Sequence, residues 1–380
     1  RRVDMGRATE EDLVSLNAAC QKATFGVGGK DVLDESYRKA AKMDANNFSL
    51  RFEVTALLAA ISPELLQGQN GDNSKFLRVE MYKLNHFFSG PGSFFKAHQD
   101  TPRGEDMIGS LVLVFPTAHQ GGALTLEHDG QNWAFDSAAD IAAATQTPTL
   151  AYVAFYSDVA HAVQTVHTGY RVTLTYNLYL SDRHATAADI KRQVPEHEKA
   201  FELTLRALLA DTTFLPEGGL LGYSLAHQYP IPSPPARLPH LLPLLKGSDA
   251  HIRTISERVG LTTHVKVLYS VEDDGWPQDV LADDVLNTEN IDQRNMYLDD
   301  EIIKMGVRLK SENSRYTWRD AVAVHWVTER NELNRVRSTY KAYGNEPSVG
   351  HMYGNAALFV DIPETGRGAR AQVDGQIQRS

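Results

Sequence analysis

Between residues 75 and 180 the chain changes its hydrophobic rhythm, and no other feature restricts the possible folds as much. Residues 111–115, 123–126, 150–156 and 171–178 are short runs rich in β-branched and aromatic side chains. Such side chains suit a pleated, half-buried surface and crowd the preceding turn of a helix. Clusters of Gly, Pro, Ser and Asn separate the runs, at residues 89–93, at Gly121 and Gly122, and at residues 167–169. Many short strands at this spacing predict a jelly roll, sandwich or barrel. Residues 163–175 read as a hairpin that turns at Thr168 and Gly169.

The flanks follow other patterns. Residues 1–74 are expected to be helical support: Thr9 followed by Glu10, Glu11 and Asp12 starts a helix, and residues 50–66 carry apolar side chains at helical spacing. Glycines and asparagines then break the pattern at residues 68–73. Residues 75–182 form the predicted β core. A mixed extension, 183–365, is expected to pack on it, and a polar tail, 366–380, to lack fixed structure. Within the extension we expect helices over 185–210 and 248–259, the second capped by Ser248 or Asp249. Strands are expected near 220–225, 263–271, 320–327 and 356–362, with a Pro-rich loop at 231–239. The fold class is therefore α+β, and 380 residues allow two units or one barrel with large additions.

Charge and composition exclude several functions. The formal charge is −10 with no long basic run, which argues against a nucleic-acid partner. The longest apolar stretches, such as residues 56–61, are too short to span a membrane. A single cysteine, Cys20, cannot form an internal disulfide, so a cytoplasmic or other reducing compartment is expected, with Cys20 as a small buried helix residue. No signal peptide is visible, but the chain opens at Arg1 rather than Met, which leaves a trimmed leader open.

The chemistry-bearing residues lie in the β core. Of the 14 histidines, only His98 is followed two residues later by a carboxylate, Asp100. Residues two apart in a strand share a face, so both can bind one ion. Alone the pair says little, because such pairs are common on surfaces. His161 lies on another strand of the same zone, and nine residues separate it from Arg171. Two imidazoles and one carboxylate leave half of a metal's coordination sphere open, which suits Fe(II) oxygenases; structural zinc prefers a closed, thiolate-rich set. Arg171 can pair bidentately with the far carboxylate of a dicarboxylic cosubstrate whose other end chelates the metal. Thr173, on the same face, offers a hydroxyl.

The run from Tyr82 to Leu178 resembles the 2-oxoglutarate- and Fe(II)-dependent dioxygenases, in particular their prolyl 4-hydroxylase-like branch. The matching residues are Phe94-Phe95-Lys96-Ala97-His98-Gln99-Asp100-Thr101, then Gly121-Gly122, then Phe155-Tyr156-Ser157-Asp158 with His161, and Gly169-Tyr170-Arg171-Val172-Thr173. The resemblance implies a double-stranded β-helix (jelly roll) with iron at its mouth on His98, Asp100 and His161. It implies 2-oxoglutarate chelating that iron while its distal carboxylate meets Arg171. O2 as the other substrate, release of succinate and CO2, and oxidation of an unactivated C–H bond follow from the same resemblance. Relatives often carry a cosubstrate-binding tyrosine where this chain has Phe87; Tyr82 either compensates or is a packed aromatic.

Other candidates are weaker. His167 competes with His161, but it abuts the Gly169 turn. Glu127-His128-Asp129 reads as a solvated loop, Asp249-Ala250-His251 reverses the ligand order, and His325, Trp326 and His351 read as core or rim. The extension resembles, less specifically, a region found in some fungal-type members, at His227-Gln228-Tyr229, residues 245–249 and residues 343–346. It either covers the barrel mouth and selects substrate or is a structural extension. The expected reaction is hydroxylation, or a related oxidative cyclisation or desaturation, of a small molecule such as an amino acid or secondary metabolite. A protein prolyl hydroxylase, a non-catalytic jelly-roll binding module and a cupin-like metalloenzyme without cosubstrate are the alternatives. The oligomeric state is not legible.

Overall fold

A computed structural model describes residues 2–27, 30–50, 52, 54–66, 75–88, 92–144, 148–182, 196–234, 236–273, 276–289, 298–310, 320–342 and 348–371. The chain divides into two compact units, residues 1–65 with 75–188, and residues 66–74 with 189–380.

The first unit opens with α1 (Glu10–Ala19), started by a reciprocal capping box. The Thr9 hydroxyl accepts from the Asp12 amide while the Asp12 carboxylate accepts from the Thr9 amide. Cys20 ends the helix as its C-cap, and burial pushes its thiol up to about 11. The expectation of helix throughout residues 1–74 needs correction. Short strands follow: β1 (Gln21–Lys22), β2 (Phe25–Val27), β3 (Lys30–Val32), β4 (Arg38–Lys39) and β5 (Ala41–Asp44). β5 lies along the core strand β6 (Phe76–Phe88) and carries β1 on its other edge. Pairing with the core, a tertiary effect, decides this segment over its local preference. Next comes α2 (Thr55–Leu65), which starts at Thr55 rather than near residue 50. The expected break at residues 68–73 lies outside the described residues.

The core adds β7 (Ser93–His98), β8 (Met107–Val114), β9 (His119–Gly121), β10 (Leu124–His128), β11 (Gln131–Phe135), α3 (Ser137–Ala143), β12 (Ala151–Tyr156) and β13 (Ala160–Ser181). Two antiparallel sheets share β13. Its residues 170–181 lie between β6 and β8, giving the order β1-β5-β6-β13-β8-β12. Its earlier residues pair with β7, β9 and β10, and β4 and β11 extend that sheet. Phe87 and Phe155 from the first sheet meet Leu124, Val163 and Val166 from the second in one buried cluster. The result is a double-stranded β-helix core.

The expected hairpin at residues 163–175 is absent. Gly169 does take a left-handed φ of 73°, but the strand bends there and continues. The bend carries β13 from one sheet into the other, a corner rather than a reversal. The hairpin that does form joins β10 to β11 through Asp129 (φ 48°) and Gly130 (φ 71°), the paired left-handed residues of a type I′ turn.

The second unit contains α4 (Glu196–Ala210), β14 (Gly219–Ser224), α5 (Gly247–Arg258), β15 (Thr263–Asp273), β16 (Trp276–Ala282), α6 (Leu298–Met305), β17 (Val307–Arg308), β18 (Val324–Trp326), β19 (Arg335–Ala342) and β20 (Ser348–Ile362). Its sheet runs β17-β16-β15-β20-β14-β18, with β19 also on β20. Val265, Val267, Tyr269, Leu358 and Val360 pack there with Leu205 and Leu209 of α4 and Ile302 of α6.

Further expectations change in this unit. α4 begins at Glu196, and residues 183–195 lie outside the described set, as do 343–346. Asp249 does not cap α5; Lys246 is the N-cap and makes no side-chain cap bond. The buried Asp249 carboxylate accepts instead from the amides of Ala226 and His227 and from the Tyr229 hydroxyl, and burial raises its pKa. Three donors from one loop outcompete a helix end. The tail is anchored further than expected: Arg370 is buried and donates to the carbonyls of Leu215, Pro363, Asp211 and Phe214. Among the described residues, no helix is long and apolar enough to cross a membrane.

Candidate metal and cosubstrate site

Antiparallel pairing of β7 with β13 sets His98 directly opposite His161. Side chains opposite each other in such a pair share a face and lie in contact, and the two rings are 4.2 Å apart between centroids. Asp100 follows β7 by two residues and is drawn back to the same place. Its amide donates to the Ser157 carbonyl, and Gln99 Nε2 donates to the Asp158 carbonyl. One ligand atom from each of His98, Asp100 and His161 lies within 4.8 Å of the other two. His161 Nε2 is 3.9 Å from Asp100 Oδ1.

Each of these side chains is oriented through its other polar atom. His98 Nδ1 lies 2.9 Å from the Lys96 carbonyl and His161 Nδ1 3.1 Å from the Val159 carbonyl. A carbonyl can only accept, so both Nδ1 atoms carry the proton and both Nε2 lone pairs are free. Ser110 Oγ donates to Asp100 Oδ2 at 2.6 Å and leaves Oδ1 toward His161. Partners of this kind fix tautomer and direction in metal sites. Phe95 stacks on the His98 ring at 3.6 Å, and Phe155 lies 4.7 Å from the His161 ring. Burial first, and then the neighbouring His161, hold the His98 pKa down to about 3, so at neutral pH the imidazole is unprotonated. The Nε2 atoms of His98 and His161 and the Asp100 carboxylate can close around one face of a divalent cation.

Arg171 lies further along β13, on the face turned toward the facing sheet. Only 1% of it is exposed. Its Nε and one Nη are buried without a hydrogen-bond partner. Such donors are costly to leave unmade, more so on a charged group. Burial lowers the Arg171 pKa to about 10, with Asp136 partly offsetting, so the group stays charged at neutral pH. Phe87, directly opposite it on β6, has its ring 5.7 Å from the guanidinium carbon. Gly122 makes the room, since a Cβ there would stand 2.8 Å from Arg171 Cδ. A buried, charged, under-bonded guanidinium is built to receive an anion.

Thr173 is buried two residues on, on the same face as Arg171 and opposite Asn85. Tyr82 sits where β6 slips register against β13, between Met81, opposite Tyr176, and Lys83, opposite Thr175. Its hydroxyl accepts from Arg103 Nη2, and Lys83 Nζ and Arg103 Cζ lie 4.0 and 4.3 Å from its ring centre. His167 is exposed and outside the ligand group. Sequence reasoning missed Ser110, although a hydroxyl in the run Met107–Val114 is a visible anomaly. It also missed Arg38, Lys83 and Arg103.

Residues 82–179 match the model of the 2OG-Fe(II) oxygenase superfamily. These residues carry the match to a 2OG-Fe(II) oxygenase domain. The oxygenase is a dioxygenase that works with Fe(II), 2-oxoglutarate and O2. No curated protein matches it. It is similar to an oxidoreductase of the 2OG-Fe(II) oxygenase family from Burkholderia pseudomallei, at 15% identity over 45% of this chain and 79% of that one, with a TM-score of 0.24. It is also similar to a Trichoplax adhaerens prolyl hydroxylase in complex with a hypoxia inducible factor oxygen degradation domain peptide fragment (16%, 44% and 75%, TM-score 0.31). A Pseudomonas putida prolyl-4-hydroxylase gives 19%, 38% and 74%, with a TM-score of 0.25.

Proposed function

We propose that His98, Asp100 and His161 hold the Fe(II) of this oxygenase and that Arg171 binds the distal carboxylate of 2-oxoglutarate. The observation that carries the reading is the pairing of a convergent His-Asp-His set with a buried guanidinium whose Nε and one Nη lack partners. The residues fit both groups, because three freed ligand atoms meet and an under-bonded cation stands on the same jelly roll. When bound, Fe(II) and 2-oxoglutarate supply the activation of O2, with release of succinate and CO2.

The protein's share is positioning. Ser110 and the carbonyls of Lys96 and Val159 keep the three ligand atoms aimed together. Arg171 and Thr173 would orient the cosubstrate end to end, while Phe87, Phe95 and Phe155 line the site with apolar surface and keep water from competing. The reaction is oxidation of an unactivated C–H bond of a small molecule such as an amino acid or secondary metabolite. The second unit's sheet and helices would then serve substrate selection or structure. Conversion of 2-oxoglutarate to succinate under Fe(II) and O2 tests the reading. The native chain should turn it over, and His98→Ala should lose at least about 100-fold, because even the outer partners that orient metal ligands are worth about 10–100-fold. Equal turnover by both would remove the triad from the chemistry.

A further inference from the structure

Strand register shows which side chains share the inward face with Arg171. Directly paired residues in an antiparallel sheet project to the same side. On β13 that face carries Arg171, Thr173 and Thr175; on β6 it carries Phe87, Asn85 and Lys83, opposite them in turn. On β8, Val114 and Val112 face Thr173 and Thr175, and Ser110, the residue that holds Asp100, continues the row opposite Asn177. Lys83 therefore points to the side on which the candidate ligand Asp100 is held. It lies four residues from the Arg171 level, about 13 Å along the strand.

Lys83 is not the only cation there. Arg103, three residues after Asp100, reaches back over the Tyr82 ring and donates to its hydroxyl, while Lys83 Nζ lies against the same ring. Arg38 is buried nearby, donating to the Asn85 side chain and to the Thr24 carbonyl, with its guanidinium over Phe95. Among the described residues none of the three is in an ion pair, whereas neighbouring Lys42 is matched by Asp44. The charges of the loaded site make this count. An iron with two positive charges, together with Arg171, balances Asp100 and the two carboxylates of 2-oxoglutarate. Arg38, Lys83 and Arg103 then remain without any negative partner. Arg38 is buried and Lys83 half-buried, and cations so placed are held without counter-charge only at considerable cost, whereas Arg103 is exposed.

Resting on the reading of the site given above, we propose that the substrate is an organic carboxylate whose anionic end sits between Lys83 and Arg103 against the Tyr82 ring. Arg38 is a positioning residue that fixes Asn85 and adds to the positive field. A carboxylate on a free small molecule and one on an acidic peptide share this chemistry, and the small acid fits the reading of the reaction. The bulge at Tyr82 is what turns this edge of β6 into a receptor, since bulges re-aim side chains beside sites.

The test is equilibrium binding to the full chain loaded with Mn(II) and 2-oxoglutarate, without O2. The probes are acids and their amides in pairs: glutamate with glutamine, aspartate with asparagine, N-acetylproline with N-acetylprolinamide, and one Glu-containing peptide with its Gln counterpart. At least one acid should bind tenfold or more tightly than its amide, and Lys83→Met and Arg103→Met should each erase that preference. Both variants should bind 2-oxoglutarate within about threefold of the native chain, which also shows that they are folded. A peptide acid that outdoes every free acid would place the carboxylate on a peptide and overturn the small-acid choice. No preference for any acid, or loss of 2-oxoglutarate binding in Lys83→Met, overturns the proposal. Failure of the native chain to bind Mn(II) and 2-oxoglutarate at all would instead defeat the underlying reading of the site.

Discussion

At the scale of single residues, the site depends on what each side chain does with its second polar atom. His98 and His161 spend Nδ1 on a backbone carbonyl, and Asp100 spends Oδ2 on Ser110. The ligand residues were legible because an HxD pair and a later histidine carry a spacing. Backbone acceptors carry no side-chain signature, so the partners that aim the ligands were not. Lys83 and Arg103 escaped for a related reason: nothing in the sequence shows that they meet over one tyrosine ring. His86 shows a residue-scale consequence of burial. It is wholly buried, with its ring 5.6 Å from that of Tyr170, and desolvation lowers its pKa to about 4. In the unfolded chain it protonates near 6.5. Between those values only the unfolded state holds the proton, so stability should fall as pH drops from about 6.5 to about 4, by up to about 3 kcal/mol. Denaturant titrations of metal-free protein at pH 7 and pH 4.5 measure this. His86→Phe should shrink the dependence and leave the share of His98, whose pKa burial lowers to about 3, and an unchanged slope would show that His86 contributes nothing to it.

At the scale of elements, β13 organises the site. Its first part places His161 opposite His98, and its second places Arg171 and Thr173 on the inward face. The two-residue period of residues 171–178 was readable. The bend at Gly169 was misread as a reversal, because a glycine preceded by threonine marks a corner and a turn alike. Gly169 has both a left-handed φ and no room: a Cβ would stand 2.1 Å from the Ala118 carbonyl oxygen. Gly169→Ala should therefore cost at least about 2 kcal/mol by chemical denaturation, from the left-handed penalty plus the overlap. It should also weaken 2-oxoglutarate binding, because Arg171 is two residues away. A neutral effect on both would mean that the corner is not fixed by this glycine.

At the scale of the whole molecule, every residue of the proposed metal and cosubstrate site belongs to the first unit. The β core was legible as a class because its strands alternate and its breakers recur. The short strands of residues 21–44 were not, since they are strands only by pairing with that core. Nor was the anchoring of the tail through Arg370, which depends on carbonyls more than 150 residues earlier. Ligand binding to the native state alone stabilises by about 2.7 kcal/mol at a hundredfold excess over Kd. Hydrogen exchange with and without Mn(II) and 2-oxoglutarate should show that gain in β6, β7 and β13. Protection confined to the second unit would place the ligands elsewhere. The most direct measurement is anomalous diffraction at the iron edge from anaerobic crystals grown with Fe(II) and 2-oxoglutarate. The account predicts one iron bound by His98, Asp100 and His161, with the distal carboxylate of 2-oxoglutarate on Arg171. Iron at any other residues, or a cosubstrate carboxylate that leaves Arg171 unpaired, would contradict it.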